Sequence, residues 1–218
     1  MPEDQVILIT GTRRGIGRYL VQHYVEAGNQ VVGCSRSPVD YELQNYQHFC
    51  LDVSDETKVK KMFSEIRNAH QRLDVLINNA GVMSRNQMML TNIDSVHDVF
   101  NTNFIGTFLF CREASKLMQR NSFGRIVNLS TIHVPLGTTG TAIYSASKAA
   151  VEQFSKVLAR ELAPFGITVN TLGLSFVNQT GMVDGLSEDA IEEALQHTIL
   201  GSRLQLEDVA HAMDFLIS

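Results

Sequence analysis

The 218-residue sequence predicts one α/β domain, a doubly wound parallel sheet in three layers with helices on both faces. Short apolar runs alternate with longer segments in which apolar residues recur with a helical period. The chain contains no internal repeat and no Pro/Gly/Ser-rich linker that would divide it. With 44% hydrophobic residues it can bury a substantial core. We therefore expect a single domain over residues 1–218.

Six short apolar runs predict the strands, at residues 5–10, 30–35, 47–52, 75–78, 125–130 and 167–171. Segments of helical period lie between them at 16–28, 55–71, 94–119 and 143–163, followed by two weaker ones at 187–198 and 206–217. Parallel strands require such crossovers, because a tight hairpin joins only antiparallel strands. The alternation therefore favours a parallel sheet.

Composition and charge exclude several classes of function. The net charge of -5 gives no basic surface of the kind that nucleic-acid binding needs. No apolar stretch approaches the roughly 20 residues that span a bilayer, and the acidic N-terminus does not resemble a signal peptide. The three cysteines and seven histidines show no metal-type spacing. We expect a cytoplasmic protein that binds no nucleic acid, membrane or metal.

A glycine-rich turn follows the first predicted strand and leads directly into a helix. Its sequence is TGTRRGIG, at residues 10–17. Glycine accepts a positive φ and lets a phosphate approach the backbone, while the helix N-terminus offers free N–H groups. An ordinary βα turn could also contain these glycines. Its position between strand and helix favours a site for the pyrophosphate of a dinucleotide.

Two further clusters occupy positions where chemistry is expected. NNAG, at residues 78–81, follows the fourth strand, and YSASK, at residues 144–148, opens a helix. Tyr144 and Lys148 project from the same helix face, so an ammonium can lie near the phenol and favour its ionised form. An isolated YxxxK pattern is more often a surface pair on an amphipathic helix. The interpretation as an acid/base pair therefore depends on the other motifs.

The order and spacing of these motifs resemble the short-chain dehydrogenase/reductase family, from residue 5 to about residue 216. TGxxxGxG, NNAG and YxxxK occur in register, and the helix asparagine of the family corresponds to Asn103 in FNTNFIGT. The motifs most resemble those of 3-oxoacyl-acyl-carrier-protein reductases and related carbonyl reductases, although a sugar or steroid dehydrogenase is equally compatible with them. The resemblance implies a Rossmann-type sheet that binds a nicotinamide dinucleotide at the carboxyl ends of its strands. It also implies hydride transfer between the nicotinamide and a carbonyl or alcohol carbon.

The resemblance also implies roles for individual residues. Tyr144 corresponds to the general acid of reduction and the base of the reverse reaction. Lys148 would lower the pKa of Tyr144, together with the oxidised nicotinamide, and would reach the nicotinamide ribose. Asn103 would hold a water that links Lys148 to solvent. The alternative for Asn103 is an asparagine whose amide is satisfied by the backbone.

Two hydroxyls compete for the position of the family's catalytic serine. The family's serine lies 13 residues before the tyrosine, which corresponds to Thr131, but Ser130 precedes it directly. Adjacent strand residues face opposite sides, so only one of the two can point into the cleft. We favour Thr131, whose hydroxyl can donate a hydrogen bond to a substrate oxygen.

Charge near the adenosine ribose favours NADP(H) over NAD(H). NAD-selective members carry an acidic residue at the end of the second strand, where this chain has Arg36. Arg36 can bind a 2′-phosphate, and an arginine of the glycine turn can add a second charge; the alternative is that Arg36 only stacks on adenine. The predicted cofactor-binding residues are Gly11, Thr12, Arg13, Arg14, Gly15, Ile16, Gly17, Arg36, Asp52, Val53, Asn79, Ala80, Gly81, Tyr144, Lys148 and Val177.

The sequence departs from the family pattern after the sixth strand. Leu174 and Ser175 replace a Pro-Gly turn, with Val177 as the expected contact of the nicotinamide carboxamide. The 218 residues hold no counterpart of the family's last strand and glycine-rich tail. Residues 174–203 are expected to shape the substrate pocket, and they leave the substrate open. His133 is a second candidate pocket residue, with a solvated loop histidine as the alternative.

These observations predict an NADP(H)-dependent oxidoreductase that acts on a small carbonyl or alcohol, with a carrier-bound 3-oxoacyl thioester as one candidate. The helices at 94–119 and 143–163 are those that the family pairs across a two-fold axis, which predicts a homodimer or homotetramer. Packing of these helices inside the monomer is the alternative. A catalytically silent dinucleotide-binding protein, acting as a redox sensor or assembly partner, is the competing function. The intact Tyr144 and Lys148 pair argues against it.

Overall fold

Six parallel strands form a single sheet in the structure, a computed structural model that describes residues 4–180, 195 and 201–218. The strand order is β3-β2-β1-β4-β5-β6. The strands are β1 Val6–Thr10, β2 Gln30–Ser35, β3 Tyr46–Cys50, β4 Val75–Asn78, β5 Gly124–Thr131 and β6 Ile167–Leu174. This order confirms the predicted doubly wound sheet, with its switch point between β1 and β4.

Seven α-helices accompany the sheet in the described part of the chain. They are α1 Gly15–Glu26, α2 Glu56–His70, α3 Ile93–Phe100, α4 Gly106–Met118, α5 His133–Leu136, α6 Ala142–Leu162 and α7 Leu206–Ile217. The predicted helix at 187–198 lies outside the described residues except for Leu195. The single helix predicted at 94–119 is wrong in one respect, because a π-helical turn at Asn101–Ile105 separates α3 from α4.

The ends of some strands differ from the predicted ends, because pairing with the neighbouring strand decides where a strand ends. β5 and β6 pair along eight positions, from Gly124 with Ile167 to Thr131 with Leu174. Thr131 therefore lies inside the strand, one residue beyond its predicted end. β3 ends at Cys50, so the predicted Asp52 lies in the connection that follows it.

Two apolar clusters cover the two faces of the sheet. Leu8 of β1 packs into the cluster with α2, α4 and α6, while Ile7 and Ile9 pack into the other cluster with α1 and α7. All five residues of β1 are buried, as expected for a central strand of a parallel sheet. The layers bring the carboxyl ends of β1, β2, β4, β5 and β6 to one edge. The sequence motifs lie at that edge.

No helix in the described part of the chain is both long enough and apolar enough to cross a membrane.

Candidate active site

The glycine turn between β1 and α1 adopts the backbone that its sequence predicts. Gly11 and Gly15 have φ values of +75° and +56°, which residues other than glycine rarely adopt. A Cβ on Gly17 would lie 2.3 Å from the carbonyl oxygen of Gly11, so glycine is required for the close turn. Arg14, the N-cap of α1, makes no side-chain hydrogen bond to the helix. The first amides of α1 thus stay available to an anion.

NNAG holds this turn in place from the end of β4. The hydroxyl of Thr10 accepts hydrogen bonds from the amides of Asn79 at 3.0 Å and Ala80 at 2.9 Å. The Asn79 side chain donates to the carbonyls of Thr10 at 2.8 Å and Gly11 at 3.1 Å. Asn78 instead donates to Asn128 of β5 at 2.8 Å. The second asparagine therefore braces the turn, and the first ties two strands together.

One cavity of about 610 Å³ joins the turn to the ends of β2, β4, β5 and β6. Most of the predicted site residues line it: Gly11, Arg13, Arg14, Gly15, Ile16, Arg36, Asp52, Val53, Asn79, Ala80, Gly81, Thr131, Tyr144, Lys148 and Val177. Thr12, Gly17 and Asn103 are buried and do not line it. The cavity thus brings the phosphate-binding turn and the acid/base candidates into one space.

The adenosine end of the cavity carries positive charge. Arg13, Arg14 and Arg36 line it, and the side chain of none of them forms an ion pair or hydrogen bond with another described residue. Asp52 accepts hydrogen bonds from the amide and hydroxyl of Ser54 at 2.8 and 2.7 Å through one oxygen, Oδ1. Cationic groups without partners and a helix N-terminus suit a phosphorylated dinucleotide.

The structure separates the two competing hydroxyls. Ser130 donates to Glu152 of α6 at 2.6 Å, whereas the Thr131 side chain lies near the Tyr144 phenol and acts to lower its pKa. Thr131 also accepts a 3.3 Å hydrogen bond from the amide of His133. Both residues line the cavity, and of the two only Thr131 affects the pKa of Tyr144; its assignment to the position of the family's serine stays a prediction.

Burial governs the pKa values of the acid/base pair. Burial raises the pKa of Tyr144, and the Thr131 side chain acts in the opposite direction. Burial lowers the pKa of Lys148 to about 8, and its ammonium donates to the carbonyl of Leu129 at 2.8 Å. Burial and Thr131 are the causes of the Tyr144 shift in this structure, and the lowering of its pKa by Lys148 together with the nicotinamide stays a prediction. The phenol is protonated at neutral pH, which is the form that reduction requires.

The π-helical turn between α3 and α4 presents Asn103 to the carboxyl end of β4. Its amide oxygen accepts from the amide of Val82 at 2.8 Å, and its amide nitrogen donates to the Val82 carbonyl at 2.9 Å and to Ser147 at 3.0 Å. The structure thus shows the arrangement considered as the alternative, in which the Asn103 amide bonds to the backbone. Extra turns of this kind often occur at functional sites. Its predicted role in holding water stays a prediction.

The loop after β6 contains a residue that sequence reasoning missed. The Ser175 hydroxyl is buried and has no hydrogen-bond partner among the described residues. Ser175 and Val177 both line the cavity, and the Val177 carbonyl accepts from Thr180 at 2.8 Å. A buried polar atom without a partner carries a desolvation cost that a ligand amide would remove. The replacement of Pro-Gly, noted as a departure, was the only signal in the sequence.

His133 opens the short helix α5, which was not predicted, and lines the same cavity. Its ring packs edge-on against Tyr144 and Phe176, with both centroid distances at 6.1 Å. Its Nδ1 atom lies 2.8 Å from the Thr138 hydroxyl, and burial and the charge of Arg85 lower its pKa. The solvated loop histidine considered as the alternative is therefore wrong. Among the described residues, no group of three His, Cys, Asp or Glu residues could hold a metal ion.

Comparison with known proteins agrees with this geometry. A family model described as short chain dehydrogenase matches residues 5–191. The chain is 32% identical to the 3-oxoacyl-[acyl-carrier-protein] reductase FabG of Salmonella typhimurium over 222 residues, which cover 99% of this chain and 91% of that protein. It is 34% identical to FabG of Staphylococcus aureus over 221 residues, covering 97% and 89%.

Solved structures show the same fold. ElxO with NADP bound superposes with a TM-score of 0.89 at 29% identity, covering 99% of this chain and 92% of that chain. The structure of gox2181 superposes with a TM-score of 0.91 at 24% identity, covering 100% and 90%, which supports the fold alone. The match to the family model, the full-length relatives and the shared fold agree. The chain therefore belongs to the short chain dehydrogenase family of oxidoreductases.

Proposed function

We propose that this protein is an NADP(H)-dependent oxidoreductase that transfers a hydride between the nicotinamide and a carbonyl or secondary alcohol carbon. The observation that carries the proposal is the placement of Tyr144, Thr131 and Lys148 in the cavity that also contains the glycine turn. A proton donor, a second hydroxyl and an ammonium beside a dinucleotide site are what carbonyl reduction needs.

The choice of NADP(H) over NAD(H) is supported by charge and by similar structures. Arg13, Arg14 and Arg36 face the adenosine end without an ion-pair partner among the described residues. ElxO, whose solved structures contain NADP and NADPH, is similar over 99% of this chain. The positive φ of Gly11 and the open N-terminus of α1 fit a pyrophosphate. The unpartnered Ser175 hydroxyl is a group that could bind the nicotinamide carboxamide.

The proposed chemistry follows from the contacts. NADPH supplies the hydride when it is bound. The phenol of Tyr144 gives its proton to the carbonyl oxygen, and Thr131 donates a second hydrogen bond that stabilises the negative charge developing there. Lys148, with its ammonium held on the Leu129 carbonyl, is placed to return a proton toward Tyr144. We assign Asn103 to the same path through a water.

The substrate class is proposed from the relatives. FabG proteins are named as 3-oxoacyl-[acyl-carrier-protein] reductases, so a 3-oxo group on a carrier-bound acyl thioester is the first candidate. We propose that residues 174–180 shape the substrate side of the cavity, while most of the remaining segment predicted for this role, residues 181–194 and 196–200, lies outside the described residues. A cytoplasmic location and a homodimeric or homotetrameric assembly complete the proposal.

A substrate screen with a matched variant tests the function. NADPH oxidation would be followed with 3-oxoacyl thioesters, β-ketoesters, quinones and keto-sugars, and NADPH binding would be measured separately by fluorescence titration. We expect turnover with one class, which Tyr144→Phe abolishes while NADPH binding remains, because only the transferable proton is lost. Tyr19→Phe, on α1 and outside the cavity, is the control.

Two results would contradict the proposal. Turnover that survives in Tyr144→Phe would show that another group supplies the proton. NADPH binding without turnover of any class would favour the catalytically silent dinucleotide-binding protein instead.

A further inference from the structure

His48 on β3 contacts the loop that carries Arg36. Its Nε2 atom lies 3.1 Å from the Ser35 hydroxyl and 3.3 Å from the Ser37 carbonyl oxygen. The Ser35 hydroxyl itself donates to that carbonyl at 2.7 Å. The two residues that flank Arg36 are thus joined to each other and to one imidazole.

The other side of the imidazole is connected to the glycine turn. Nδ1 of His48 lies 2.8 Å from the hydroxyl of Tyr46, and that hydroxyl lies 2.9 Å from the hydroxyl of Thr12. Because the Ser37 carbonyl can only accept, the hydrogen of the neutral ring belongs on Nε2, and Nδ1 is left as an acceptor beside the Tyr46 hydroxyl. Burial lowers the pKa of His48, which keeps the ring neutral at pH 7, and the Ser37 contact acts in the opposite direction.

Gly33 of β2, which has no side chain, leaves space for this chain of hydrogen bonds. A Cβ on Gly33 would lie 2.4 Å from the Tyr46 hydroxyl and 2.7 Å from the Thr12 hydroxyl. Tyr41 supports the same site by donating to the Thr12 carbonyl at 2.7 Å. The connection from the loop to the turn is therefore built into three elements: the end of β2, β3 and the turn before α1.

The position of the loop determines which part of a cofactor this connection affects. Ser35, Arg36 and Ser37 all line the adenosine end of the cavity, whereas His48 lies behind them and does not line it. NADP(H) and NAD(H) differ only in the 2′-phosphate of the adenosine ribose. A loop already fixed in its binding geometry loses less conformational entropy when it binds that phosphate.

We propose that His48 is a positioning residue that fixes the loop at 35–37 and thereby sets the selectivity for NADP(H) over NAD(H). The inference rests on the proposed use of NADP(H). It adds a residue outside the cavity to the determinants of cofactor choice, acting through the Ser35 hydroxyl and the Ser37 carbonyl.

The test compares three substitutions at one position by titrating the protein with NADPH and with NADH. His48→Ala should weaken NADPH binding by about tenfold and NADH binding much less, because Ser35 and Ser37 lose the ring while Thr12 keeps its hydrogen bonds with Tyr41 and Tyr46. His48→Gln can still donate to Ser37 and should restore much of the selectivity. His48→Asn reaches only toward Tyr46 and should not. Gln47→Ala, an exposed neighbour on β3, is the control.

The readout is the ratio of the two dissociation constants, which a general loss of structure would not change. A ratio that stays unchanged in His48→Ala, whether both affinities fall equally or neither falls, would overturn the positioning role. If His48→Ala does not fold, the comparison of Gln with Asn decides, and equal ratios for the two would overturn the inference. A wild-type protein with no preference for NADPH would overturn the proposed cofactor as well, whereas a preference that survives in His48→Ala overturns this inference alone.

Discussion

Ser130 donates a 2.6 Å hydrogen bond to Glu152, and this contact commits its hydroxyl to the packing of β5 against α6. The next residue, Thr131, accepts a 3.3 Å hydrogen bond from the amide of His133, and its side chain acts to lower the pKa of Tyr144. Neighbouring residues of a strand point to opposite faces, so the two hydroxyls have different surroundings. Substitution of Thr131 should therefore affect turnover, whereas substitution of Ser130 should affect stability.

We expect Thr131→Val to lower kcat by about a hundredfold, because valine keeps the shape but removes the hydrogen bond to the developing negative charge. Ser130→Ala should lower stability by about 1–3 kcal/mol, because Glu152 loses its partner, and it should leave kcat nearly unchanged. Steady-state kinetics and urea unfolding of both variants provide the measurement. A larger loss of kcat in Ser130→Ala than in Thr131→Val would reverse the assignment.

The buried Lys148 should make stability depend on pH. Its pKa falls from 10.5 to about 8 on folding, so above pH 8 the folded protein has released a proton that the unfolded chain still holds. Stability therefore rises with pH between about 8 and 10.5, at about 1.4 kcal/mol per pH unit. Below pH 8 the folded protein bears the full cost of burying the Lys148 ammonium.

Lys148→Met removes this titration, and the stability difference between variant and wild type measures it. We expect the variant to gain relative stability at pH 7 and to lose that advantage as the pH rises above about 8. Other groups that titrate in this range contribute equally to both proteins and cancel. A stability difference between variant and wild type that stays constant from pH 7 to about 9.5 would contradict the lowered pKa of Lys148.

Arg36→Asp should reverse the charge at position 36 and weaken the positive charge of the adenosine end. Charge-assisted hydrogen bonds to phosphate contribute about 1.5–3 kcal/mol, so NADPH affinity should fall by tenfold or more and the preference over NADH should relax. The dissociation constants of the two cofactors give the result. An arginine that only stacks on adenine would predict equal losses for NADPH and NADH.

His133 should affect the substrate and not the cofactor. Its ring packs against Tyr144 and Phe176 in the cavity, and its Nδ1 atom is held by Thr138. We expect His133→Leu to raise the KM of a carbonyl substrate by several-fold without changing the dissociation constant of NADPH. An unchanged KM would place His133 outside the substrate path.

The assembly as a homodimer stays a prediction, in which the helices predicted at 94–119 and 143–163 would pair across a two-fold axis. Phe154 of α6 packs against Phe104 and Phe108 within the monomer, at ring distances of 6.0 and 6.1 Å, so part of the apolar surface is already used. Val157 remains 47% exposed on α6. Val157→Glu should convert a dimer to a monomer in sedimentation velocity, because a charge would be buried at the contact. A wild-type monomer at micromolar concentration would exclude the interface.

Local spacing determined much of this protein from the sequence alone. The period of apolar residues predicted the strands and crossovers, and the glycines of TGTRRGIG predicted the turn where Gly11 and Gly15 adopt positive φ. The four-residue spacing of Tyr144 and Lys148 predicted a shared helix face. These features depend on backbone geometry over fewer than ten residues, which the order of residue types is enough to specify.

The tertiary structure decided which partner each side chain meets. Lys148 donates to the Leu129 carbonyl, Asn103 clamps Val82 from a π-helical turn, and His48 connects the loop of Arg36 to Thr12. Each contact joins residues from different elements, at separations of 19 residues or more in all but the contact of His48 with Ser35, where it is 13. Such partners are selected by the strand order and by the packing of helices on the sheet, and no local pattern encodes them.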